Sequence, residues 1–437
     1  MPKSTVLLKN RIRLANSMAR FLSIDDLNLE GKTVLLRVDI NCPLDPETNV
    51  ILDNNRINMV LPTINKLSQS KIVVIAHQSR PGKKDFISTL THARELSRLL
   101  GRPVQWVEDI HGQKALRAIG KLQNGDILML NNVRMDADEI RKYPDIQSAS
   151  ECSLVENLSS VADVYVNDAF ACAHRGSPSM VGFSRHLPCV AGELVKKELA
   201  ILEKTIEAPL RPCIGIFGGI KVDDSILVAD NMLRNGTCDE IWVVGGVGNL
   251  LLELDGVDIG EINHDFLVKE LGSKWTSTIS LAKAMLRDFR EKIMLPVDVA
   301  ANIEGERVDF QIEKLPVESP LFDIGIHSIR MLSRAIKSAG TIVMNGPAGV
   351  FEIDDFALGT IEMLNACAES NAFTIVGGGH TATIVKQRRL GKKMGHVSTG
   401  GGACLMLLSG KALPSIVALE MSAQLFSMGI EKSIENR

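Results

Sequence analysis

The sequence lacks a strong net charge, a long apolar run and any paired-cysteine motif. Its 437 residues carry 49 lysines and arginines against 52 aspartates and glutamates, so the formal net charge is only −3. A chain of this balance has no overall field that would attract nucleic acid or an anionic membrane, and we expect neither as a partner. No apolar stretch approaches the roughly 20 residues that a membrane-spanning helix needs. The eight cysteines show no CxxC spacing, which favours reduced, mostly buried thiols in a cytoplasmic protein.

Two common nucleotide-binding patterns are also missing. The chain contains no GxxxxGK[ST] loop, and its GGVGN segment lacks the GxGxxG spacing of dinucleotide-binding folds. The first absence argues against a P-loop enzyme. The second weakens the hypothesis of a nucleotide-linked oxidoreductase, a class that doubly wound sheets with glycine turns would otherwise also fit.

Glycines and cationic loops are instead divided unequally along the chain. Residues 1–205 hold nine of the 35 glycines and place arginine or histidine after apolar runs, in HQSRPG, NNVRMDADE and NDAFACAHR. The remaining residues hold 26 glycines, concentrated in FGGIKVDDS, VVGGVGN, NGPAGVFE, VGGGHTAT and VSTGGGACL. Guanidinium groups pair with carboxylate and phosphate, and glycine turns before helices expose N–H groups that hold phosphate. A chain with one part rich in cationic loops and one part rich in glycine turns suggests a phosphotransferase.

Short apolar, β-branched runs alternate with helical stretches on both sides of residue 200. Runs such as TVLLRV at 33–38 and TIVMN at 341–345 do not alternate polar with apolar residues, as expected of strands that are buried on both faces. We therefore predict an α/β protein of two doubly wound, Rossmann-like parallel-sheet domains joined by a hinge helix, because a chain of this length exceeds one hydrophobic core. The predicted parts are an extension at 1–23, a first domain at 24–191, a helix and connector at 192–212, a second domain at 213–411, and a segment at about 412–437 that packs back on the first domain.

The predicted extension at 1–23 can be interpreted in more than one way. Residues 1–17 carry four cations and no acid, which loosely resembles an organelle transit peptide. A disordered extension, or a true start at Met18, fits the sequence better.

Four loops that follow predicted strands carry polar or cationic side chains suited to an anionic ligand. They hold Asp39 and Asn41 in RVDINCP, His77 and Arg80 in HQSRPG, Arg134 in NNVRMDADE, and His174 and Arg175 in VNDAFACAHR. Taken singly, Asp39 and Asn41 could be turn formers, and Arg56, near the start of a predicted helix, could be a solvated side chain. Four such loops on rigid strands together favour a binding site at the ends of the strands.

In their order along the chain, these motifs resemble phosphoglycerate kinase from about residue 24 to 420. The motifs that carry the resemblance are RVDIN, HQSRPG, VNDAFACAHR, GGIKVDDS, LPVD, NGPAGVFE, GGGHTAT and HVSTGGGACLMLLSGKALP, and KVDDS and GGGH look more like the archaeal branch. The resemblance implies a glycolytic enzyme that transfers a phosphoryl group reversibly between 1,3-bisphosphoglycerate and ADP, giving 3-phosphoglycerate and ATP. It implies Mg²⁺ bound with the nucleotide, no covalent intermediate, and closure of a cleft between the domains. Most family members are monomers, and a homodimer is the alternative.

The resemblance also implies roles for individual residues. Asp39 and Asn41 would contact the hydroxyl and carboxyl end of the phosphoglycerate, and Arg56 would approach the transferred group. The basic patch around the 3-phosphate would comprise His77, Arg80, Arg134 and Arg175, with His174 beside it. The nucleotide would be held by Gly218, Gly219, Lys221, Gly325, Gly346, Glu352, Gly377, Gly378, Gly379, His380 and Thr381. The catalytic groups would be Arg56, Lys221, Gly378 and Gly379, and no protein residue is expected to bind the metal alone.

Two positions depart from the better-known family pattern. Ser225 occupies the place of a lysine that helps to stabilise the transferring phosphoryl group, and His380 replaces an aspartate that contacts the nucleotide-bound magnesium. A catalytically impaired nucleotide-binding homologue is therefore the alternative function. We expect activity to survive, with Lys221, Arg56 and the Gly377–Gly379 helix start supplying the missing charge.

Overall fold

The computed structural model describes residues 21–434, with side chains described for 21–426. The basic stretch at 1–17 and most of the predicted extension lie outside these residues. The chain divides into two compact units: unit 1 consists of the described residues of Met1–Ala200 and Ala412–Arg437, and unit 2 of Ile201–Lys411. The border between them falls within the helix Glu193–Glu207.

Unit 1 is built on a seven-stranded sheet in which every neighbouring pair is parallel. Its strand order is β1-β7-β6-β2-β3-β5-β4. The strands are β1 (Leu22–Ser23), β2 (Thr33–Val38), β3 (Lys71–Ile75), β4 (Gln105–Trp106), β5 (Ile127–Met129), β6 (Val164–Asp168) and β7 (Cys189–Ala191). The central strands are buried along almost their whole length, so the predicted pattern of strands covered on both faces is confirmed.

Helices cover this sheet. They are α1 (Asn55–Lys66), α2 (Leu90–Leu100), α3 (Gln113–Ile119), α4 (Ala137–Ile140), α5 (Ile146–Ser150), α6 (Ser153–Ser159), α7 (Pro178–Val181), α8 (Glu193–Glu207) and, after unit 2, α17 (Pro414–Ile434). Helix α17 is tied to unit 1 through Ser422, whose hydroxyl accepts from the Cys189 amide at 2.8 Å and donates to the Leu187 carbonyl at 3.1 Å.

Unit 2 contains a six-stranded parallel sheet of order β10-β9-β8-β14-β15-β16. Its strands are β8 (Cys213–Phe217), β9 (Glu240–Val243), β10 (Ile293–Met294), β14 (Thr341–Asn345), β15 (Phe373–Gly377) and β16 (His396–Val397). Its helices are α9 (Val222–Arg234), α10 (Gly245–Leu254), α11 (Glu261–Leu271), α12 (Trp275–Phe289), α13 (Ile326–Ser338), α14 (Leu358–Glu369), α15 (Gly379–Gln387) and α16 (Gly402–Leu408). Short 3₁₀ turns connect some elements in both units. They are Val133–Met135, Phe170–Cys172, Gly182–Arg185, Gly272–Lys274, Arg290–Lys292, Ile312–Lys314, Asp354–Phe356 and Gly391–Lys393. Two parallel α/β units of this kind confirm the predicted fold class.

A small antiparallel sheet in unit 2 was not expected from the sequence. It has the order β12-β11-β13, with β11 (Asp298–Ile303), β12 (Glu306–Gln311) and β13 (Leu321–Ile324). The turn between β11 and β12 consists of Glu304 and Gly305, both with positive φ (51° and 100°). Two such residues between paired strands give the turn that matches the right-handed twist of a hairpin. The Glu-Gly pair was the signal available in the sequence.

Each unit has its own apolar core. In unit 1 the core packs around Val34, Leu36 and Val38 of β2, and in unit 2 around Ile214 and Ile216 of β8. All eight cysteines are buried and none is disulfide-bonded. Among the described residues, no helix combines the length and hydropathy needed to cross a membrane.

Asp168 gives the fold a testable dependence on pH. This carboxyl lies at the end of β6, and its Oδ1 accepts from the amides of Leu194 (2.8 Å) and Val195 (3.2 Å) in the first turn of α8. Burial raises the pKa of Asp168 from 3.8 to about 7, although the Thr63 hydroxyl and these amides favour the charged form. The folded protein therefore retains a proton that the unfolded chain releases. We predict that the free energy of unfolding falls between about pH 4 and pH 7, by up to about 4 kcal/mol from this group.

The Asp168→Asn variant should flatten that slope, because the amide keeps an oxygen acceptor and cannot ionise. The measurement is the urea-unfolding midpoint as a function of pH, and exposed Glu30→Gln is the control. Equal slopes for Asp168→Asn and the wild type would show that Asp168 is ionised in the folded protein throughout this range.

Candidate active site

In both units, predicted site residues follow central strands of the sheet. These strands lie where the sequence order of the strands along the sheet changes direction. In unit 1, β2 lies between β6 and β3, and Val38 pairs with Asp168 in register. In unit 2, β8 lies between β9 and β14, and Phe217 pairs with Asn345. The loops after such neighbouring strands diverge, and ligands of doubly wound sheets bind in the crevice that this leaves. Each unit therefore carries a candidate half-site at the carboxyl edge of its sheet.

Asp39 and Arg56 form an ion pair in the unit 1 half-site. Asp39 follows β2 and is buried, whereas Arg56, in the first turn of α1, is partly exposed. Burial by itself would raise the pKa of Asp39, but Arg56 above all, together with the Asn41 amide and Arg37, outweighs burial and lowers it to about 2. Asp39 is therefore a permanent carboxylate. Arg56 is not the freely solvated side chain that its helix position alone allowed.

Arg37 is a site residue that the sequence reasoning did not select. It lies in β2 and is almost completely buried; its Nε donates to the Ser179 hydroxyl at 3.0 Å and its Nη1 to the Val38 carbonyl. Its Nη2 lies 3.2 Å from Nδ1 of His77. A charged residue inside a strand that is apolar on both faces was the available signal, because a buried cation needs partners.

The loop after β3 is fixed by hydrogen bonds to its neighbours. Ser79 has a positive φ of 56°, its amide donates to Oδ1 of Asn41 at 2.9 Å, and its carbonyl accepts from Nη1 of Arg134. The buried Gln78 side chain bonds both the amide and the carbonyl of Cys42 at 3.1 Å. Three of the four predicted loops are thus linked into one rigid edge.

Three arginines of this edge have no acidic partner among the described side chains. Arg80 and Arg175 are exposed and Arg134 is half-buried, and none of them forms an ion pair with a carboxylate within the side chains described. Burial has the largest effect on the pKa of Arg134 and the neighbouring Arg175 the second largest, and both lower it. Burial and Arg175 likewise lower the pKa of His174, and the Ala171 backbone offsets part of this effect. Cations gathered without an anion are suited to a ligand that brings its own negative charge.

Asp39, His77 and Cys172 also come close enough to be considered as metal ligands. One ligand atom from each lies within 4.8 Å of the others. However, Asp39 is paired with Arg56, and burial raises the pKa of Cys172 to about 12, which disfavours the thiolate that a metal would need. These three residues do not fit a metal ion.

The unit 2 half-site is made largely of backbone. After β8 and β14, the Gly218 amide donates to the Asn345 carbonyl and the Gly219 amide to the Pro347 carbonyl, both at 2.8 Å. Gly346 has a φ of 87°, and a Cβ there would lie 2.1 Å from the Gly218 carbonyl oxygen. The two loops therefore approach each other more closely than any side chain at 346 would allow.

Two helices begin at this edge. Lys221, which is exposed, precedes α9, and Gly378, with a φ of 79°, precedes α15. The first amides of a helix have no partner within it, and at the start of α15 these are the amides of Gly379, His380 and Thr381. The Thr381 hydroxyl accepts from the Gly346 amide at 3.1 Å and fixes this helix start to the neighbouring loop.

Asn345 and Ser225 form a buried pair beneath these loops. The Asn345 Nδ2 donates to the Ser225 hydroxyl at 3.0 Å, and its Oδ1 lies against Gly378, where a Cβ would approach it to 2.5 Å. Asn345 was not selected from the sequence, although an asparagine that ends an apolar strand directly before Gly-Pro could have been. Ser225 thus supports the loop edge and carries no charge.

The remaining predicted nucleotide residues lie apart from this cluster of backbone groups or at its rim. His380 and Glu352 are exposed, and the His380 ring centroid is 6.4 Å from that of Phe351. Gly325 precedes α13, but there the Asp298 carboxylate already accepts from the His327 and Ser328 amides at 2.8 Å. That helix start is capped by the protein itself. Beside it lies an apolar depression lined by Trp242, Val243, Val244, Met294, Leu295, Pro296, Ile324, Ser328, Met331 and Leu332.

Comparison with known proteins gives one consistent family. A sequence profile of the family described as phosphoglycerate kinase matches residues 24–411. The chain is 45% identical to a phosphoglycerate kinase of Methanothermus fervidus over 406 residues, covering 92% of this chain and 98% of that protein. It is 44% identical to one of Methanothermobacter thermautotrophicus over 405 residues, covering 92% and 97%.

Solved structures agree with the sequence relatives. The crystal structure of phosphoglycerate kinase from Pyrococcus horikoshii matches with a TM-score of 0.83 and 37% identity, covering 92% of this chain and 99% of that one. The enzyme from Coxiella burnetii matches with a TM-score of 0.75 and 31% identity, covering 91% and 98%.

The close approach at Gly346 generates a stability prediction. Gly346→Ala should lower the free energy of unfolding by about 2 kcal/mol or more, because it combines an unfavourable φ with a clash against backbone. Gly391→Ala is the matched control, since it has open space and no positive φ. Thermal unfolding of both variants checks this, and indistinguishable midpoints would contradict the tight packing at Gly346.

Proposed function

Because the chain belongs to the phosphoglycerate kinase family, we propose that it catalyses reversible phosphoryl transfer between 1,3-bisphosphoglycerate and ADP, giving 3-phosphoglycerate and ATP. The observation that carries the proposal is the contrast between the half-sites. Unit 1 offers arginines without carboxylate partners, and unit 2 offers glycine loops and free helix-start amides. The first suits a small, strongly anionic substrate and the second the phosphates of a nucleotide.

In unit 1, Arg80, Arg134 and Arg175 are proposed to hold the 3-phosphate, with His174 beside them. Asp39 and Asn41 are proposed to bind the hydroxyl and carboxyl end of the substrate. The permanent charge of Asp39 supports this role, because a carboxylate accepts from a hydroxyl donor at any physiological pH. Asn41 has Oδ1 engaged by the Ser79 amide, which leaves its NH₂ group as a donor.

Arg56 is proposed to stabilise the charge on the group in transfer. Its guanidinium carries five N–H donors, so the ion pair with Asp39 leaves donors available for phosphoryl oxygens. Asp39 would then hold Arg56 in place before the substrate arrives. Preorganised charge of this kind contributes to catalysis because it costs no rearrangement during the reaction.

In unit 2, Gly218, Gly219 and Lys221 are proposed to contact the nucleotide phosphates. The first amides of α15, from Gly379 onward, would face the migrating phosphoryl group, and Gly377 and Gly378 make that approach possible. Glu352 is proposed to bind the ribose. The adenine would lie near Gly325 and Gly346.

Family members act on ATP and ADP, which implies a metal partner, and we propose Mg²⁺ bound with the nucleotide. In the described part of unit 2, no three histidine, cysteine, aspartate or glutamate side chains lie together as an ion site. The exposed His380 is a poor ligand for Mg²⁺, which prefers oxygen. The residues present therefore do not form a metal site of their own. The ion would be held by phosphates and water and would reduce the negative charge that the chain must neutralise.

Phosphoryl transfer depends mainly on positioning and charge stabilisation. Since each substrate is assigned to a different unit, turnover requires that the units bring them together, and we propose a hinge at 192–212. We further propose that the chain acts as a cytoplasmic glycolytic enzyme and as a monomer. The comparisons give no support to the impaired homologue.

A coupled spectrophotometric assay of ATP-dependent phosphorylation of 3-phosphoglycerate tests the function. Transfer at saturating ATP and Mg²⁺ is the expected result. Oxidation or reduction of a nicotinamide cofactor in the absence of the coupling enzyme would indicate an oxidoreductase instead. Nucleotide binding without transfer would favour the impaired homologue.

The role of Arg56 predicts a specific kinetic change. Arg56→Ala should lower kcat by roughly 10³-fold or more, within the range of catalytic arginines, with a much smaller change in the KM for 3-phosphoglycerate. Arg134→Ala or Arg175→Ala should instead mainly raise that KM, because a 3-phosphate is bound alike in the ground and transition states. Arg117→Ala, at an exposed position on α3, is the control. A near-normal kcat for Arg56→Ala would remove Arg56 from the mechanism.

Ser225 and His380, which stand in place of a lysine and an aspartate of the better-known family pattern, give a second kinetic prediction. If Lys221 supplies charge that Ser225 cannot, Lys221→Ala should lower kcat about as much as Arg56→Ala, whereas exposed Lys283→Ala should not. His380→Ala should leave the magnesium requirement in place, as measured by kcat at varied Mg²⁺ and fixed ATP. Loss of magnesium dependence in His380→Ala would contradict this account of the site.

A further inference from the structure

A buried chain of hydrogen bonds runs from Glu139 to His77 in unit 1. The Glu139 carboxylate accepts from the Ser177 hydroxyl at 2.8 Å, the Ser179 hydroxyl at 2.7 Å and the Ser179 amide at 2.9 Å. The Ser179 hydroxyl in turn accepts from Nε of Arg37 at 3.0 Å, and Nη2 of Arg37 lies 3.2 Å from Nδ1 of His77. Glu139, Ser179, Arg37 and His77 are all buried.

Arg37, in the middle of this chain, fixes the direction of its bonds. A guanidinium has only donors, so both Ser179 and His77 must accept from it. The single hydroxyl proton of Ser179 therefore goes to Glu139, and its lone pair receives Arg37. Nδ1 of His77 can only accept from Arg37, so a neutral ring must carry its proton on Nε2. Protonation of Nδ1 would place two donors against each other in a buried site.

The surroundings of His77 oppose its protonation as well. The charged or titratable groups that face it are Arg37 and Asp39 in and after β2, Arg134 after β5, and Cys172 and Arg175 after β6. Burial is the largest influence; it and the three arginines together outweigh Asp39, so the pKa of His77 lies well below its ordinary value. The hydrogen-bond geometry and the surrounding charges thus both favour a neutral His77.

We propose that Arg37, held by Ser179 and Glu139, is a positioning residue that keeps His77 neutral with its proton on Nε2. His77 then offers the half-site an uncharged N–H donor, and the charge that binds the substrate comes from the arginines alone. The meaning of this for phosphoglycerate binding rests on the proposed function, whereas the protonation state of His77 does not. One ring nitrogen of His77 lies within 4.8 Å of an Asp39 carboxylate oxygen, which places the imidazole next to the proposed substrate contact.

The proposal is tested directly by nuclear magnetic resonance on the full chain without substrate. The protein is labelled with ¹⁵N-histidine, long-range ¹H–¹⁵N correlations are recorded between about pH 5.5 and pH 8, and His77→Gln identifies the signals of His77. A neutral ring with the proton on Nε2 over this range is expected. An imidazolium at about pH 6, or a proton on Nδ1, would overturn the proposal.

Two serines provide a matched pair of variants, because both bond Glu139 but only Ser179 bonds Arg37. Ser179→Ala should loosen Arg37, so that His77 begins to protonate within the range measured. Ser177→Ala should leave the His77 signals as in the wild type. Identical His77 titrations in the two variants would also overturn the proposal. If thermal unfolding shows that Ser179→Ala does not fold, Glu139→Gln replaces it, since a neutral amide no longer holds the Ser179 hydroxyl and amide as a carboxylate does.

A kinetic measurement tests whether His77, at the end of this chain of hydrogen bonds, lies beside the substrate. The ratio of the KM of Ser179→Ala to that of the wild type should fall severalfold from about pH 8 to about pH 6, because a protonated His77 would add a cation beside an anionic substrate. Taking the ratio cancels the ionisation of the substrate itself. A constant ratio, with His77 protonating in the resonance measurement, would mean that His77 does not face the substrate and would overturn this part. Inactivity of the wild type would count against the proposed function alone.

Discussion

The pairing of parallel strands is the constraint on which both half-sites depend. Parallel neighbours end at the same edge of a sheet, so the register that joins Val38 to Asp168, and Asn345 to both Phe217 and Gly377, also determines where the following loops begin. Residues far apart in sequence are thereby placed side by side with little freedom. The loops then add only short-range adjustments, such as the bond from the Ser79 amide to Asn41. A site that must hold phosphates without covalent chemistry gains its accuracy from this arrangement.

The two units use different means to attract negative charge. Unit 1 uses guanidinium groups and must therefore manage mutual repulsion and one fully buried cation, Arg37. Burial and, next, repulsion by Arg175 lower the pKa of Arg134, whereas the buried cation is satisfied by Ser179, a carbonyl and His77. Unit 2 instead offers backbone amides at the start of α15, which carry no net charge and can lie side by side without that difficulty. A small substrate with fixed charges suits the first, and a nucleotide that exchanges one phosphate suits the second.

Much of the fold could be predicted because apolar runs in parallel sheets are continuous. The runs at 33–38 and 341–345 have the same bounds in the structure as in the sequence prediction. The antiparallel sheet was missed because β12 is mostly exposed, with no apolar run to mark it, and only its Glu-Gly turn distinguishes it. Propensity says little about such strands, since their stability comes from cross-strand neighbours.

The site residues likewise include some that were selected from the sequence and some that were missed. Loop cations could be selected because solvent-facing arginines after strands are conspicuous, and the resemblance supplied the glycines. Arg37 and Asn345 each had a local signal, but their roles could not be predicted, since each acts through a partner that lies more than a hundred residues away in sequence, Ser179 and Ser225 respectively. That second pair gives Ser225 a structural role. The Asn345 amide is buried, and leaving it without a partner would cost about 1–3 kcal/mol. The Ser225 hydroxyl satisfies it and keeps Asn345 beneath Gly378, so a serine here supports the loop edge although it carries no charge.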